Sequence, residues 1–399
     1  MKQLGLIKEV QQALIREGLD GWLFFDVWQR DPLAYRILRL DISLLTTRRW
    51  FYLIPPIGNP LKLVHRIEKN RLASLPGTTL IYSRWDELHQ KLAEMLMGCH
   101  KIAMQYSPNN DLFNISYVDA GTVELVKSMG ALIVSSANLI QQVLSRVSQE
   151  GAQFHREAGQ KVQSIKDAAF ELIFKAIGSS HPKSELDVQQ FILDKFAEQN
   201  LTCEGLKPVV AVNSHAANPH FEVTPSTNTT IKKGDRILID LWAKVDHPEA
   251  IYYDITWCGF AGKFPPDEYS KLFNIVVEAR KQAKEFVLKK MTSGEKVLGW
   301  QVDDACRSYI ASKGYANYFI HRTGHSIDTA VHGSGVNIDN YETKDYREII
   351  PGTCFSIEPG IYVGDLGVRS EIDVLIDEAG QVHVEGPEQE RLVMMDEIS

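Results

Sequence analysis

Two stretches of this chain place carboxylates inside runs of residues that belong in a protein core. In the first, GDRILID, Gly234 precedes Asp240 by six residues, and Asp254 follows inside YYDITW. In the second, GTCFSIE, Gly352 precedes Glu358 by six residues, and Glu371 follows inside RSEIDV. Branched and aromatic residues dominate both, so each stretch reads as a pair of strands, with 352–376 forming two strands joined by a glycine-marked turn. A strand period of two puts Leu238 and Asp240 on one face and Ile237 and Ile239 on the other, so each acid belongs to a largely buried strand. Burying an unpaired carboxylate costs several kcal/mol, so any fold this chain adopts must neutralise all four.

Arginine or lysine partners, shared protons or metal ions would serve. Two divalent cations fit best, because four carboxylates match their combined charge and a neutral imidazole adds nitrogen coordination without altering the balance. Histidines lie nearby: HRTGHSIDTAVHG carries His321, His325 and His332, and NPHF adds His220. Taken singly, a strand acid is more often a solvated edge residue or a salt-bridge partner, and a lone histidine more often packs or faces solvent. Recurrence shifts that balance, since four acids in matching stretches and the histidines between them would each need a separate explanation.

The rest of the chain sets the frame. With 399 residues, 44% hydrophobic and 24% charged, it has the composition of a soluble globular protein of two or three domains. A net charge of −8 argues against nucleic acid or an anionic membrane as partner. No apolar stretch approaches the roughly 18 to 20 residues that span a bilayer. Cys99, Cys203, Cys258, Cys306 and Cys354 are few and scattered, which fits reduced thiols and a cytoplasmic location. Leu6, Val10, Ala13 and Leu14 predict an amphipathic helix that ends near Gly18. Short apolar runs (WLFF, WFYLI, LKLV, TTLIY, HKIAM, ALIV) then alternate with helical stretches up to about Asn138, the pattern of an α/β domain. That half has no glycine-rich nucleotide loop and no Walker lysine. Helices are expected over 153–177, from Ser184 onward, over 267–290 and over 299–313, and SELD places Asp187 three residues after a candidate cap. The chain therefore divides into 1–150 and 151–399.

From about 155 to 390, DLWAK with YYDITW, HRTGHSI, FSIEPGIYV and GVRSEIDV stand in the order of the pita-bread metallopeptidase superfamily, and the chain resembles that superfamily. Methionine aminopeptidase, prolidase, aminopeptidase P and creatinase belong to it. Residues before 150 resemble the α/β N-terminal domain shared by its prolidase, aminopeptidase P and creatinase branches. The resemblance implies an α+β protein, with a C-terminal pita-bread domain and a smaller creatinase-like N-terminal domain. It implies that Asp240 chelates one metal, that Asp254 and Glu371 bridge two, and that His325 and Glu358 complete the other. By the same resemblance His220 and His332 face the substrate, and Glu358 or a bridging acid handles a proton. Arg369, two residues before Glu371 and so read on the same strand face, supports the acids. His321 lines the site or packs beside it.

The activity implied is removal of the N-terminal residue from short peptides with proline in second place, by attack of a metal-bridging hydroxide. Alternatives are an Xaa-Pro dipeptidase, a creatinase-like hydrolase and a non-catalytic peptide-binding module. Manganese is the first expectation for the two divalent ions, with cobalt, zinc and iron as alternatives, and a homodimer is expected. Three departures bear on selectivity: the Asp240 to Asp254 interval is longer than usual through DHPEAI, Asp328 replaces a common glycine in GHSID, and HGSGVNIDN lacks the frequent acid after His332.

Overall fold

The computed structural model describes residues 2–395. The chain falls into two compact units, Met1–Leu144 and Ser145–Ser399. In the first, six strands form one sheet in the order Thr78–Tyr82, Leu61–His65, Trp50–Ile54, Gly21–Asp26, Lys101–Met104 and Leu132–Ser135. All run one way except Trp50–Ile54, which pairs antiparallel with both neighbours. The run GWLFFD is continuously apolar because both its faces are covered. Trp22 and Phe24 pack with Trp50, Tyr52 and the helix Lys2–Glu17 on one side, while Leu23 and Phe25 pack with Phe51, Leu53 and the helix Trp85–Met95 on the other.

The second unit is mixed α and β. Arg236–Val245 pairs antiparallel with Tyr253–Phe260, and Val209–Val212 and Leu201–Thr202 also pair with Arg236–Val245. A second sheet orders Ser326–Ile327, Thr353–Ile357, Ile372–Ile376 and Val382–Val384. The period of two holds along Arg236–Val245: Ile237, Ile239 and Leu241 enter a core with the 28-residue helix Gln149–Ala176, and Leu238 enters the core of helices Asp267–Thr292 and Gly299–Ser312. The helix Glu185–Glu198 starts at a capping box in which Ser184 and Asp187 satisfy each other's backbone donors.

Residues 352–376 form four strands rather than the two expected. Thr353–Ile357 and Ile372–Ile376 pair with each other, whereas Gly360–Val363 and Leu366–Arg369 make a separate two-stranded ribbon. Pro359 lacks the N–H that a continuing ladder needs, and the chain leaves the first sheet there. The ladder closes at Ile357 opposite Ile372, so Glu358 and Glu371 follow its last rung instead of lying within strands. At Gly367 the ribbon runs against the turn Asn213–Ala217 so closely that a Cβ would sit 1.7 Å from the Ala216 carbonyl oxygen. Only glycine fits this approach.

Candidate metal centre

The two strand pairs bring their acids to one place. Asp240 stands opposite Thr256, and Asp254 lies two residues before Thr256, so all three share a face. The second sheet meets that face: the Glu371 N–H donates to the Thr256 carbonyl at 3.2 Å, and the Thr256 hydroxyl donates to Glu371 Oε2 at 2.8 Å. Glu358 is held by its own N–H on the Thr323 carbonyl at 2.7 Å and by the Ser356 hydroxyl on Oε1 at 3.1 Å. One ligand atom each from Asp254, His325 and Glu371 lies within 4.8 Å of the others, and all three residues are buried.

His325 is oriented for coordination. Its Nδ1 faces the Ser326 carbonyl at 3.1 Å, and a carbonyl only accepts, so Nδ1 carries the proton and the Nε2 lone pair points inward. That Nε2 lies 3.3 Å from Glu358 Oε1 and 3.6 Å from Asp254 Oδ2. Burial, with Arg322 next, pulls the imidazole down to about 3, so it stays neutral. Burial and the neighbouring Asp240 and Asp373 push Asp254 well above the usual carboxylate range, and burial with Asp254, Glu358 and Asp240 does the same to Glu371. Asp240 and Glu358 are raised by burial too, with Arg369 working against the rise. Asp240 Oδ1 and Asp254 Oδ1 are buried without a hydrogen-bond partner. Orphaned carboxylate oxygens beside an inward nitrogen lone pair match the donor set of a divalent cation.

Arg369 ends the ribbon, and Glu371 follows a break at Ser370, so the two do not share the strand face expected of them. The guanidinium reaches the cluster all the same: Nη2 pairs with Asp240 Oδ2, Nε donates to the Thr256 hydroxyl at 3.1 Å and Nη1 to the Tyr362 hydroxyl at 3.1 Å. His321 Nδ1 donates to the Arg322 carbonyl at 2.7 Å, so its Nε2 accepts from Tyr362 at 2.9 Å. His332 sets its ring perpendicular to that of His325, with centroids 4.4 Å apart. Its pKa falls to about 3, chiefly because of His325 and then burial. His220 is exposed in the turn after Pro219, where its N–H donates to Asn218 Oδ1 at 3.1 Å.

Several residues not singled out in the sequence support this arrangement. Asp373 accepts the Asp254 N–H at 2.8 Å. Glu185 is fully buried and clasps the segment that carries His220: it accepts from Val212 N at 2.9 Å, Thr229 N at 3.0 Å and His215 Nδ1 at 2.8 Å. His215 in turn stacks on Phe221 with centroids 4.3 Å apart. Asp328, noted in the sequence as a departure, is buried and accepts from Ala330 N, Ser334 N and the Ser145 hydroxyl at 2.8 to 3.0 Å. A Cβ on Gly333 would lie 3.0 Å from Asp328 Oδ2, so the acid at 328 occupies the space beside the glycine that follows His332. Thr256 and Asp373 each sit two residues from a singled-out acid, and that spacing was the available signal.

Comparison with known proteins agrees with these motifs. The model of metallopeptidase family M24 matches residues 155–378. An Xaa-Pro dipeptidase of Pyrococcus furiosus is 34% identical over 185 residues, which cover 46% of this chain and 48% of that protein. The match thus spans about half the length of that curated relative. Among solved structures, dipeptidase PepE from Mycobacterium ulcerans superposes with a TM-score of 0.72 at 21% identity over 98% of both chains. The X-Pro aminopeptidase from Thermotoga maritima gives 0.59 at 18% identity over 96% of this chain and 99% of that one. The fold is the α+β pita-bread architecture expected from the sequence. With more than half its length matched, the chain belongs to metallopeptidase family M24.

Proposed function

We propose that this protein is a dinuclear metal-dependent exopeptidase that removes the N-terminal residue from peptides with proline in second place. The observation that carries the reading is the buried meeting of Asp254, His325 and Glu371, flanked by Asp240 and Glu358. Asp240 would hold one ion, Asp254 and Glu371 both, and His325 with Glu358 the other, with manganese preferred. When bound, divalent cations supply an ionised water at neutral pH and polarise the scissile carbonyl.

The chain's own groups supply the rest. Glu358, fixed through Ser356 and Thr323, takes the proton of the attacking water and delivers it to the leaving proline nitrogen. His220 and His332 donate N–H groups to the oxygen on which negative charge develops. Arg369 holds Asp240 and Thr256 in place. Proline has no amide hydrogen and a fixed φ, so a cleft for such substrates does not rely on a hydrogen bond from that nitrogen. The reading includes 1–150 as a creatinase-like N-terminal domain, a homodimer and a cytoplasmic location. No helix among the described residues is long and apolar enough to cross a membrane.

A second reading, an Xaa-Pro dipeptidase, is favoured by the similarity to the Xaa-Pro dipeptidase of Pyrococcus furiosus. Hydrolysis of an Xaa-Pro dipeptide, an Xaa-Pro-Yaa tripeptide and an Xaa-Ala-Yaa control at saturating Mn(II) separates the two. The aminopeptidase reading expects the tripeptide to be cleaved best. Preference for the dipeptide moves the assignment to the dipeptidase, and equal cleavage of the control removes proline specificity.

A further inference from the structure

The Met1–Leu144 unit has a cavity of about 740 Å³ outside the carboxyl ends of its parallel strands Gly21–Asp26, Leu61–His65 and Thr78–Tyr82. In open α/β sheets this edge is where ligands bind, and the volume is that of a small-molecule site. Arg30, Arg48 and Arg49 line it, together with the aromatic rings of Trp28, Tyr82 and Trp85. Among the described residues no carboxylate lies within salt-bridge distance of any of the three arginines. Two carboxylates stand near enough to feel them, Glu68 beside Arg48 and Asp119, itself on the cavity wall, beside Arg30, and both also hold the scaffold. Glu68 accepts the N–H groups of Thr47 and Arg48 and the Thr47 hydroxyl, and Asp119 caps the helix Ala120–Ser128 through the N–H and hydroxyl of Thr122. His65 is no anion ligand: Nδ1 accepts from Ile67 N, so Nε2 carries the proton and donates to the Ser83 carbonyl at 3.1 Å.

The wall that carries Trp28 and Arg30 is built under strain. Trp28 and Gln29 both adopt left-handed backbone, with φ of 64° and 56°, which costs a non-glycine residue on the order of 1 kcal/mol or more. The buried Asp26 holds this turn by accepting the N–H groups of Gln29, Arg30 and Asp31 at 2.7 to 3.1 Å. Trp28 is left 63% exposed, and Trp85, on the same cavity, 70% exposed. Basic residues also outnumber acidic ones in 1–144, although the whole chain carries −8. Guanidinium groups suit phosphate oxygens, and exposed indoles suit a flat aromatic ring.

We propose that this cavity binds a small phosphorylated ligand with a planar aromatic body, of which a nucleoside monophosphate is the representative, the phosphate on Arg30, Arg48 and Arg49 and the ring against Trp28 or Trp85. Recognition runs through side chains, so the missing glycine-rich loop is no obstacle. The test is titration of the full chain with AMP, inorganic phosphate and adenosine, followed by calorimetry and tryptophan fluorescence. AMP should bind saturably and more tightly than either part, and added salt should weaken it. R30A and R48A, both at exposed positions, should each weaken AMP binding roughly tenfold or more while the thermal unfolding midpoint stays unchanged. Absence of saturable AMP binding, AMP no tighter than phosphate, or unchanged binding by R30A and R48A would each overturn the proposal; the last would place the phosphate elsewhere on the chain.

Discussion

The Thr256 hydroxyl donates to Glu371 Oε2 at 2.8 Å, joining the two sheets that carry the acids, and accepts from Arg369 Nε at 3.1 Å. One hydroxyl thus orients a bridging carboxylate of the proposed centre and the arginine that pairs with Asp240. Replacing it by an isosteric methyl leaves Glu371 without its donor. T256V should lower the affinity for divalent metal by roughly ten- to a hundredfold, whereas T256S should retain it. Metal titration of the two variants checks this.

His220 and His332 are placed on the substrate in this account. Alanine at either should reduce kcat about a hundredfold or more, the cost of losing one donor to a developing oxyanion, and leave metal content intact. Metal analysis beside steady-state rates decides the matter. Loss of metal from H220A would assign that imidazole to an ion instead.

Glu185 pins Val212, His215 and Thr229 from a fully buried position, so its carboxylate sets the path of the segment carrying His220. E185Q replaces an acceptor by an amide that cannot serve all three donors. The variant should lose about 1–3 kcal/mol of stability and most of its turnover, with metal content unchanged. Urea unfolding, steady-state rates and metal analysis measure the three separately.

Buried His155 donates from Nδ1 to the Tyr252 carbonyl at 2.7 Å, and burial holds its pKa at about 4 against an ordinary 6.5. Between those values the unfolded chain binds a proton that the folded chain does not. This group therefore weakens the fold as pH falls from about 6.5 towards 4. Asp373, 3.8 Å away and raised by burial, acts in the opposite sense, losing its contribution as pH rises. H155Q should remove the histidine part of the slope, a difference on the order of 3 kcal/mol between neutral and acidic pH. Chemical unfolding of both proteins across that range provides the comparison.

Periodicity suffices for the face of Asp240, and the recurrence of the two stretches for Asp254, because both lie in a regular antiparallel pair where a period of two fixes the face. It misplaced Glu358, Glu371 and Arg369, because Pro359 and the break at Ser370 divide an apparently continuous apolar run into two ladders. Thr256 was within reach, two residues from Asp254, but nothing in a hydroxyl's identity marks it as a link between sheets. The clasp at Glu185 was beyond local reading. Its carboxylate follows a legible cap at Ser184, yet its partners at 212, 215 and 229 arrive only when the chain returns.

Metal content of the purified, reconstituted chain, measured with turnover on an Xaa-Pro-Yaa peptide in wild type and E371A, tests the account most directly. Glu371 is one of the two carboxylates, with Asp254, that both ions are proposed to share, and it sits within reach of Asp254 and His325. The wild type should hold about two equivalents of divalent metal, and E371A should lose metal and turnover together while remaining folded. A wild-type chain that binds no metal, or an E371A chain with unchanged content and rate, would contradict it.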